Sequence, residues 1–196
     1  MTLWTIQPES VYKMIVDTGV YRCDFEKSSM PEWKLQYNWL VAQMKKRIGE
    51  PPAGVSYPVW AWYRQFGRRE KPDLRRERWC YGSNGMTYRC MEIEIPDDQV
   101  LLSDFDMWNL VLMDALISRT EAEDDMLCAE YDKLSDDGKK KMLENNWERV
   151  FDITPFENDW TLQGDSVQAT FWELRREQIR RTWTFKSASV FPKYPR

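Results

Sequence analysis

The sequence predicts an α+β domain in which small mixed or antiparallel sheets are flanked by helices. Residues Met91–Ile95 alternate apolar and acidic side chains, which is the period of a half-buried strand, and Pro96 ends that strand by removing a donor. The apolar run Val100–Leu102 predicts a second short strand. Ser103 and Asp104 then form an N-cap pair for a helix whose apolar side chains recur every three or four residues. Those side chains are Phe105, Trp108, Leu112 and Leu116.

The length of 196 residues suits a single domain over 1–196, because a chain of this size buries roughly 70% of its unfolded surface. Two capping segments, Glu121–Asp125 and Ser135–Gly138, predict two helices that carry no residues typical of a site. We therefore expect a helical insertion near 119–150.

Net charge and tryptophan content indicate which kinds of ligand the protein could bind. The formal net charge of -4 argues against a generic polyanion binder, although charge acts locally as well as globally. The chain carries 11 tryptophans, more than a core of this size needs. The surplus predicts flat aromatic surfaces in a cleft.

The absence of histidine excludes Ser-His-Asp and Cys-His catalysis and histidine metal ligands. Cys23, Cys80, Cys90 and Cys128 lack the C-x-x-C spacing of zinc sites, so we expect no metal and free thiols in a reducing compartment. A disulfide between Cys80 and Cys90 across a hairpin is the open alternative. With only eight glycines, the chain has no glycine-rich phosphate loop of either common spacing.

The amino-terminal residues have no basic segment followed by an apolar one, and no apolar run approaches 18 residues. We expect a soluble cytoplasmic protein with no membrane association.

The first fifty residues predict a strand and two helices. Leu3–Ile6 is a short strand, residues 7–9 open a helix with proline at its first position, and Gly19 ends that helix. A second helix is predicted over Pro31–Ile48, which has one broad apolar face and a basic last turn. A loop follows over 49–54.

The segment Tyr57–Arg64 predicts a strand on which Trp60 and Trp62, two residues apart, project to the same face. One interpretation is a pair of core tryptophans. The other is an aromatic wall in a pocket, against which a flat cationic or heteroaromatic ring stacks.

The segment Arg68–Arg78 is basic. It is either a solvated loop or a set of guanidinium groups for the phosphates of a dinucleotide or a nucleic acid. Residues 79–80 and Thr87–Ile95 are then predicted as two strands joined by a turn over 82–85.

The last part of the chain predicts two strands, Val167–Leu174 and Ile179–Phe185, after an irregular segment over 152–164. They are joined at 175–178, where a helix over 175–180 is the competing interpretation. Alternation places Gln168, Thr170 and Trp172 on one face of the first strand and Ala169, Phe171 and Glu173 on the other.

Carboxylates are the acid and base groups that remain, principally Glu173, Asp104 and Asp106. Glu173 lies beside large aromatic residues, where desolvation alters ionisation, or else it is a surface residue near Arg175. Metal-assisted hydrolysis by a carboxylate cluster stays open, although the acidic residues form no recognised motif.

Five motifs carry a resemblance to a known family. They are Leu-Trp-Thr-Ile-Gln-Pro at 3–8, Tyr-Pro-Val-Trp-Ala-Trp-Tyr at 57–63, Lys-Pro-Asp-Leu-Arg at 71–75, Val-Leu-Leu-Ser-Asp-Phe-Asp-Met-Trp at 100–108 and Gln-Ala-Thr-Phe-Trp-Glu-Leu at 168–174. Over nearly its whole length the chain resembles a bacterial family described only as a domain of unknown function.

The layout is more remotely similar to ADP-ribosyltransferases of the DarT type. That likeness implies an ADP-ribosyltransferase-like fold, NAD as substrate and catalysis by Glu173. The chain departs from the family pattern at two positions. Thr5 stands where the family has histidine. Thr170 directly follows Gln-Ala, so the glutamate comes three residues later, at Glu173. The NAD contacts that it implies on the first strand and the Ser-Asp segment are Trp4, Thr5, Gln7, Ser103 and Asp104.

The resemblance also implies roles for aromatic and basic residues. Trp4, Trp60 or Trp62 stacks on the cationic nicotinamide, and Arg64, Arg75 or Arg76 holds the pyrophosphate. The acceptor would be a nucleic acid or a protein, and the protein would be a toxin or phage-defence effector with an antitoxin-like partner.

Two hypotheses compete with the transferase. In the first, the protein is a non-catalytic module whose tryptophans and basic segment bind a nucleic acid or a protein. In the second, it is a regulatory or immunity component encoded beside a toxin.

Overall fold

A six-stranded sheet is the centre of the fold. The computed structural model describes residues 1–24, 31–81 and 85–188, and in it the strands run in the order β10-β4-β1-β3-β8-β5. The strands are β1 (Thr2–Pro8), β2 (Val20–Arg22), β3 (Val59–Arg64), β4 (Thr87–Glu94), β5 (Leu101–Asp104), β6 (Phe156–Glu157), β7 (Leu162–Gln163), β8 (Val167–Phe171), β9 (Glu173–Arg175) and β10 (Ile179–Lys186). Two further sheets of two strands each pair β2 with β9 and β6 with β7.

Helices flank the sheet. They are α1 (Glu9–Thr18), α2 (Lys34–Ile48), α3 (Leu74–Glu77), α4 (Phe105–Leu112), α5 (Glu121–Tyr131) and α6 (Asp136–Asn146), with short 3-10 helices at Pro31–Trp33, Asp97–Gln99, Trp147–Phe151 and Arg176–Gln178. Every pairing between the named strands is antiparallel. The prediction of an α+β domain with antiparallel sheets flanked by helices is confirmed.

The two faces of the large sheet pack against different elements. On one face, Leu3 and its sheet neighbours form a core cluster with Ile15 of α1. On the other face, one end is covered by Leu40 of α2 and Trp108 of α4, and the other end by Leu74 of α3 together with Tyr81. The second face is therefore packed against two separate groups of residues, one from α2 and α4 and one from α3 and Tyr81, which we call its two covers.

Local signals in the sequence place the helix ends. Gly19 ends α1 in the left-handed conformation, with φ 85°, and its N–H bonds to the carbonyl of Ile15. Asp104 caps α4 by accepting from the Met107 N–H, and Thr120 and Ser135 cap α5 and α6 in the same way. These residues satisfy N–H groups that the first turn of a helix otherwise leaves unpaired.

The structure differs from the sequence predictions at several places. Gln7 and Pro8 end β1 instead of opening α1, which begins at Glu9. The segment 152–164, predicted to be irregular, contains the short strands β6 and β7. Residues 79–80 form a turn and not a strand, and Gly82–Asn84 of the predicted hairpin turn lie outside the described residues. Helix α4 ends at Leu112, so Leu116 lies beyond it. The predicted strand Val167–Leu174 is broken by a bend at Trp172, after which the chain pairs with β2 instead of the large sheet.

Part of the segment 119–150 belongs to the main core. Leu143, Trp147 and Val150 are buried in the same cluster as α2 and α4, and the ring of Trp39 lies 5.5 Å from that of Trp147. Helix α5, in contrast, buries none of its residues.

Two further findings concern the predicted environment. No helix in residues 1–24, 31–81 or 85–188 is long and apolar enough to span a membrane. All four cysteines lie within these residues and are free thiols, so the alternative of a bond between Cys80 and Cys90 is excluded.

Candidate functional site

One transverse row of side chains crosses the large sheet on the face that carries two covers. Trp4 of β1 pairs with Trp62 of β3, Trp62 pairs with Gln168 of β8, and Gln168 pairs with Ser103 of β5. Directly paired residues of antiparallel strands project to the same face. We call these four residues, Trp4, Trp62, Gln168 and Ser103, the indole row.

Charged residues continue the indole row toward the opposite sheet edge. Trp4 also pairs with Glu92 of β4, and Glu92 pairs with Arg181 of β10. The Glu92 side chain is 20% exposed, and its closest approach to Arg181 is 3.8 Å. A carboxylate with one distant cation therefore lies beside the first indole of the row.

Three polar atoms of the indole row are buried without a hydrogen-bond partner in the described part of the chain. They are Trp4 Nε1, Gln168 Oε1 and Ser103 Oγ. Trp4 is 7% exposed and Ser103 is fully buried. Because most buried polar atoms in folded proteins are paired, three exceptions in one row make the row a candidate site.

The middle of the indole row is partly exposed. Trp62 and Gln168 are half-buried, in contrast to the two ends of the row. The ring of Trp62 meets Phe105 edge-on at 5.2 Å. Tyr81 lies beside Trp62, and burial raises the pKa of its phenol.

A cavity of about 350 Å³ opens at the end of β3 that follows Trp62. Its wall includes Arg64, which lies two residues beyond Trp62 on β3, and Asp165, which precedes β8. Arg64 donates from Nη2 to the carbonyl of Ile153 at 3.1 Å, whereas its Nε is buried with no partner among the residues described. Glu157 also lines the cavity, so one cation and two carboxylates share its wall.

The Ser-Asp segment has two different environments. Ser103 belongs to the indole row, but Asp104 is fully buried as the cap of α4 and also accepts from the Gly164 N–H. Burial raises the pKa of Asp104, and the bonds from Met107 and Gly164 act in the opposite direction. Asp104 therefore holds the local fold together and does not reach the row.

Thr5 and Gln7 project to the face opposite the indole row. The Thr5 hydroxyl donates to the Trp60 carbonyl at 2.8 Å, and Gln7 Nε2 donates to Thr5 Oγ1 at 3.0 Å. The Trp60 side chain shares the row's face but lies 5.3 Å from Trp108, against the cover of α2 and α4. Of the first-strand contacts implied by the resemblance, Trp4 alone lies in the row.

Glu173 lies in the two-stranded sheet and not in the large one. It is 9% exposed, and both of its oxygens are ion-paired, Oε2 with Arg22 Nε at 3.0 Å and Oε1 with Arg175 Nε at 2.8 Å. The carboxylate is therefore buried and neutralised by two guanidinium groups. The bend at Trp172 separates it from the strand that carries Gln168.

Arg75 lies apart from the indole row on the surface of α3. Its guanidinium binds both oxygens of Asp73, at 3.0 and 2.9 Å, and lowers the pKa of Asp73 to about 2. Arg75 lines a shallow groove of about 310 Å³ together with Leu74, Arg78, Phe185 and Lys186. The neighbouring Arg76 rests on the ring of Phe66, with 4.7 Å between Cζ and the ring centroid.

Sequence reasoning did not assign Gln168 or Glu92 to the site. Their alternation predicts which face of its own strand each occupies, but not which residue lies opposite. Gln168 shares the strand Val167–Phe171 with one other polar residue, Thr170, and its long amide side chain is the available signal. In the described part of the chain, no three cysteines or carboxylates are grouped so that they could hold a metal ion.

The comparison with known proteins gives one result. Neither a curated protein nor a solved structure matches the chain. The sequence profile of the family described as Domain of unknown function (DUF3841) matches residues 2–180, which is most of the 196 residues. The chain therefore belongs to the DUF3841 family.

Proposed function

We propose that the protein is an NAD-dependent ADP-ribosyltransferase-like enzyme that binds NAD along the indole row. The observation that carries this proposal is the position of Trp4, Trp62 and Ser103 in one row, with Arg64 two residues beyond Trp62 on β3 and its Nε unpaired among the described residues. Indole faces favour flat and cationic rings, and guanidinium groups favour phosphate. In other dinucleotide sites a carboxylate accepts hydrogen bonds from the ribose hydroxyl groups. Here Glu157 and Asp165 line the cavity beside Arg64.

The reaction breaks the bond between nicotinamide and ribose, and the bonding electrons leave with nicotinamide. Positive charge then develops on the ribose, as it does in glycoside hydrolysis, and a fixed carboxylate stabilises that charge. An oxygen or nitrogen of the acceptor attacks the ribose carbon and loses its proton. The acceptor in this proposal is a nucleic acid or a protein.

Two carboxylates compete for the catalytic position. The resemblance assigns it to Glu173, which is buried and fixed but occupied by Arg22 and Arg175. Glu92 lies in the transverse row itself and has one distant cation. With Glu173 as the catalytic group, one arginine must turn away when NAD binds.

Nicotinamide release from NAD tests the proposal. We expect turnover by the purified chain, and a loss of about 100-fold or more in Glu173→Gln at unchanged NAD affinity. Glu94→Gln is the matched control, because Glu94 is exposed and lies on the strand of Glu92. If Glu92→Gln lost turnover and Glu173→Gln kept it, the catalytic role would move to Glu92. Absence of NAD binding and turnover would refute the proposal.

A role as a toxin or phage-defence effector belongs to the same proposal. Expression of the wild-type chain in a bacterial host is expected to slow growth, and Glu173→Gln to relieve the effect. Co-expression of an antitoxin-like partner would relieve it as well. Equal growth inhibition by both chains would contradict an enzymatic toxin.

The double ion pairing of Glu173 favours a second candidate function, a binding module without turnover. Two arginines of the segment 68–78 lie over aromatic rings. The distance from Cζ to the ring centroid is 3.8 Å for Arg69 over Tyr63 and 4.7 Å for Arg76 over Phe66. Single-stranded nucleic acids bind such surfaces through phosphates and stacked bases. Salt-dependent binding of a labelled oligonucleotide without NAD consumption would support this candidate over the transferase.

A further inference from the structure

We propose that the outer edge of β10, together with the groove at its carboxyl end, binds an extended acidic segment of another protein. β10 lies at one edge of the six-stranded sheet, and among the described residues it pairs with β4 alone. In an antiparallel sheet every second residue of an edge strand directs its N–H and C=O groups outward. An added peptide strand can pair with these groups. The interface involves neither NAD nor a residue of the indole row.

The two edges of the large sheet differ in length and burial. β5, at the opposite edge, has four residues, three of which are buried, and Leu101 packs in the core cluster that contains Trp147 and Val150. β10 has eight residues, and none of them is buried. Proteins usually shorten or cover their edge strands, because a long exposed edge is a template for strand pairing. The edge at β10 is therefore the one that an added strand can reach.

The groove at the carboxyl end of β10 combines apolar side chains with cations. Its lining residues are Leu74, Arg75, Arg78, Phe185 and Lys186, and no carboxylate of a described residue is among them. The three cationic residues are exposed, so a ligand can reach them. Arg75 is engaged by Asp73, but Arg78 and Lys186 have no ion-pair partner among the described residues. The groove therefore suits an apolar group that lies next to negative charge.

Charge and backbone chemistry together select the class of partner. β10 carries Arg180, Arg181 and Lys186 and no acidic residue. A second copy that paired through the same edge would bring the cations of both copies together, which is unfavourable. A nucleic acid would neutralise the cations, but it has no peptide groups with which to continue the sheet. An acidic peptide strand satisfies both the cations and the outward backbone groups.

The geometry of an added strand sets the pattern that it must carry. Its side chains alternate between the two faces of the sheet, so every second one projects to the face that carries Phe185. One apolar side chain on that face enters the groove. Carboxylates within about two residues of it then come close to Arg78 and Lys186. We therefore expect the bound segment to have an apolar residue flanked by aspartate or glutamate.

Selection of a display library of short random peptides on the full chain tests the proposal. We expect the enriched peptides to be acidic and to contain an apolar residue between the acidic ones. Calorimetric titration of the chain with the most enriched peptide then gives the affinity. Failure to enrich any peptide, or enrichment of peptides without acidic residues, would show that the proposal is wrong.

Charge reversal in the groove separates local recognition from the overall charge of the chain. The double variant Arg78→Glu with Lys186→Glu is expected to bind the peptide about tenfold or more weakly. Lys133→Glu with Lys141→Glu is the matched control, because it makes the same change of net charge at exposed positions far along the chain, and it should bind as the wild type does. Thermal unfolding shows that both variants are folded. Equal affinities of the two double variants would overturn the proposal.

Amide hydrogen exchange distinguishes strand addition from charge attraction alone. Saturation with the peptide is expected to slow exchange of the outward N–H groups of β10 about tenfold or more, and to leave α6 unchanged. Absence of protection on β10 would refute strand addition. Protection that appears without peptide as the protein concentration rises would assign the edge to a second copy and overturn the proposal. Displacement of the peptide by a labelled single-stranded oligonucleotide that protects no N–H group of β10 would assign the groove to nucleic acid, with the same consequence. Nicotinamide release plays no part in these measurements, so the interface and the transferase fail separately.

Discussion

Arg22 and Glu173 form an ion pair between β2 and β9, with 3.0 Å between Arg22 Nε and Glu173 Oε2. The Glu173 side chain is 8% exposed and that of Arg22 is 43% exposed. Arg175 binds the other carboxylate oxygen, so the buried charge has two partners. The small sheet is held together by this cluster as well as by its backbone hydrogen bonds.

Arg22→Met is therefore expected to lower the free energy of unfolding by about 1–2 kcal/mol, because it leaves a buried carboxylate with one partner. Urea denaturation measures the change. Arg180→Met is the control, since Arg180 pairs with Glu94 at an exposed position, and its cost should stay below about 0.5 kcal/mol. Equal costs would mean that the buried pair contributes no more than a surface pair.

Asp104→Ala is expected to lower the free energy of unfolding by about 3 kcal/mol. The substitution removes the cap of α4 and leaves the N–H groups of Met107 and Gly164 without their acceptor. Asp104→Asn retains one acceptor oxygen and should cost less. Chemical denaturation of both variants checks the order, and an unchanged stability in Asp104→Ala would show that the cap does not hold the local fold.

Gly164→Ala is expected to destabilise the protein by about 3 kcal/mol and to disturb the cavity beside Arg64. Gly164 has φ +76°, and an added Cβ would lie 2.7 Å from the carbonyl oxygen of Ile153. Gly54 has a similar φ of +79° but open space around it, so Gly54→Ala should cost only about 1 kcal/mol for its backbone conformation. Thermal unfolding of the two variants measures both losses of stability, and their difference gives the cost of the steric clash at Gly164.

Glu77→Gln is expected to raise stability near pH 7 and to leave it unchanged in acid. Burial raises the pKa of Glu77 above its usual 4.5, and the side chain accepts from Gln65 Nε2 at 2.8 Å. The folded state thus holds the proton more tightly than the unfolded chain. The contribution of the neutral acid is complete below about pH 4.5 and is lost as the pH rises through the folded-state pKa.

Urea denaturation of Glu77→Gln and wild type at several pH values measures this difference. Glu130→Gln, at an exposed position, is the control and should follow the wild type at every pH. A Glu77→Gln curve parallel to that of the wild type would show that Glu77 does not ionise with the predicted cost.

The sequence predicts the helix ends well because they depend on neighbours in the chain. Gly19 ends α1, and Asp104 and Ser135 cap their helices, each through a hydrogen bond within a few residues. The strand that begins at Thr87 follows from strict alternation. Turn residues 79–80 were misassigned as a strand because two apolar residues without alternation carry too little information.

The candidate site could be predicted only in part, because it depends on the register of distant strands. The sequence places Trp60 and Trp62 on one face, but it cannot show that Trp4 lies opposite Trp62 or that Gln168 lies opposite Ser103. It also misses the bend at Trp172, where the chain leaves one sheet for another. Both features arise from contacts between segments far apart in the chain.

The position of β1 in the middle of the large sheet has a consequence for synthesis on the ribosome. Its neighbours β3 and β4 are translated within the first hundred residues, whereas β8 and β10, which cover their outer edges, come some seventy to ninety residues later. At the usual translation rate of about 5–20 residues per second, a sheet of β1, β3 and β4 would have both edges unpaired for several seconds. Because unpaired strand edges pair readily with other chains, we expect aggregation to be favoured most during this interval.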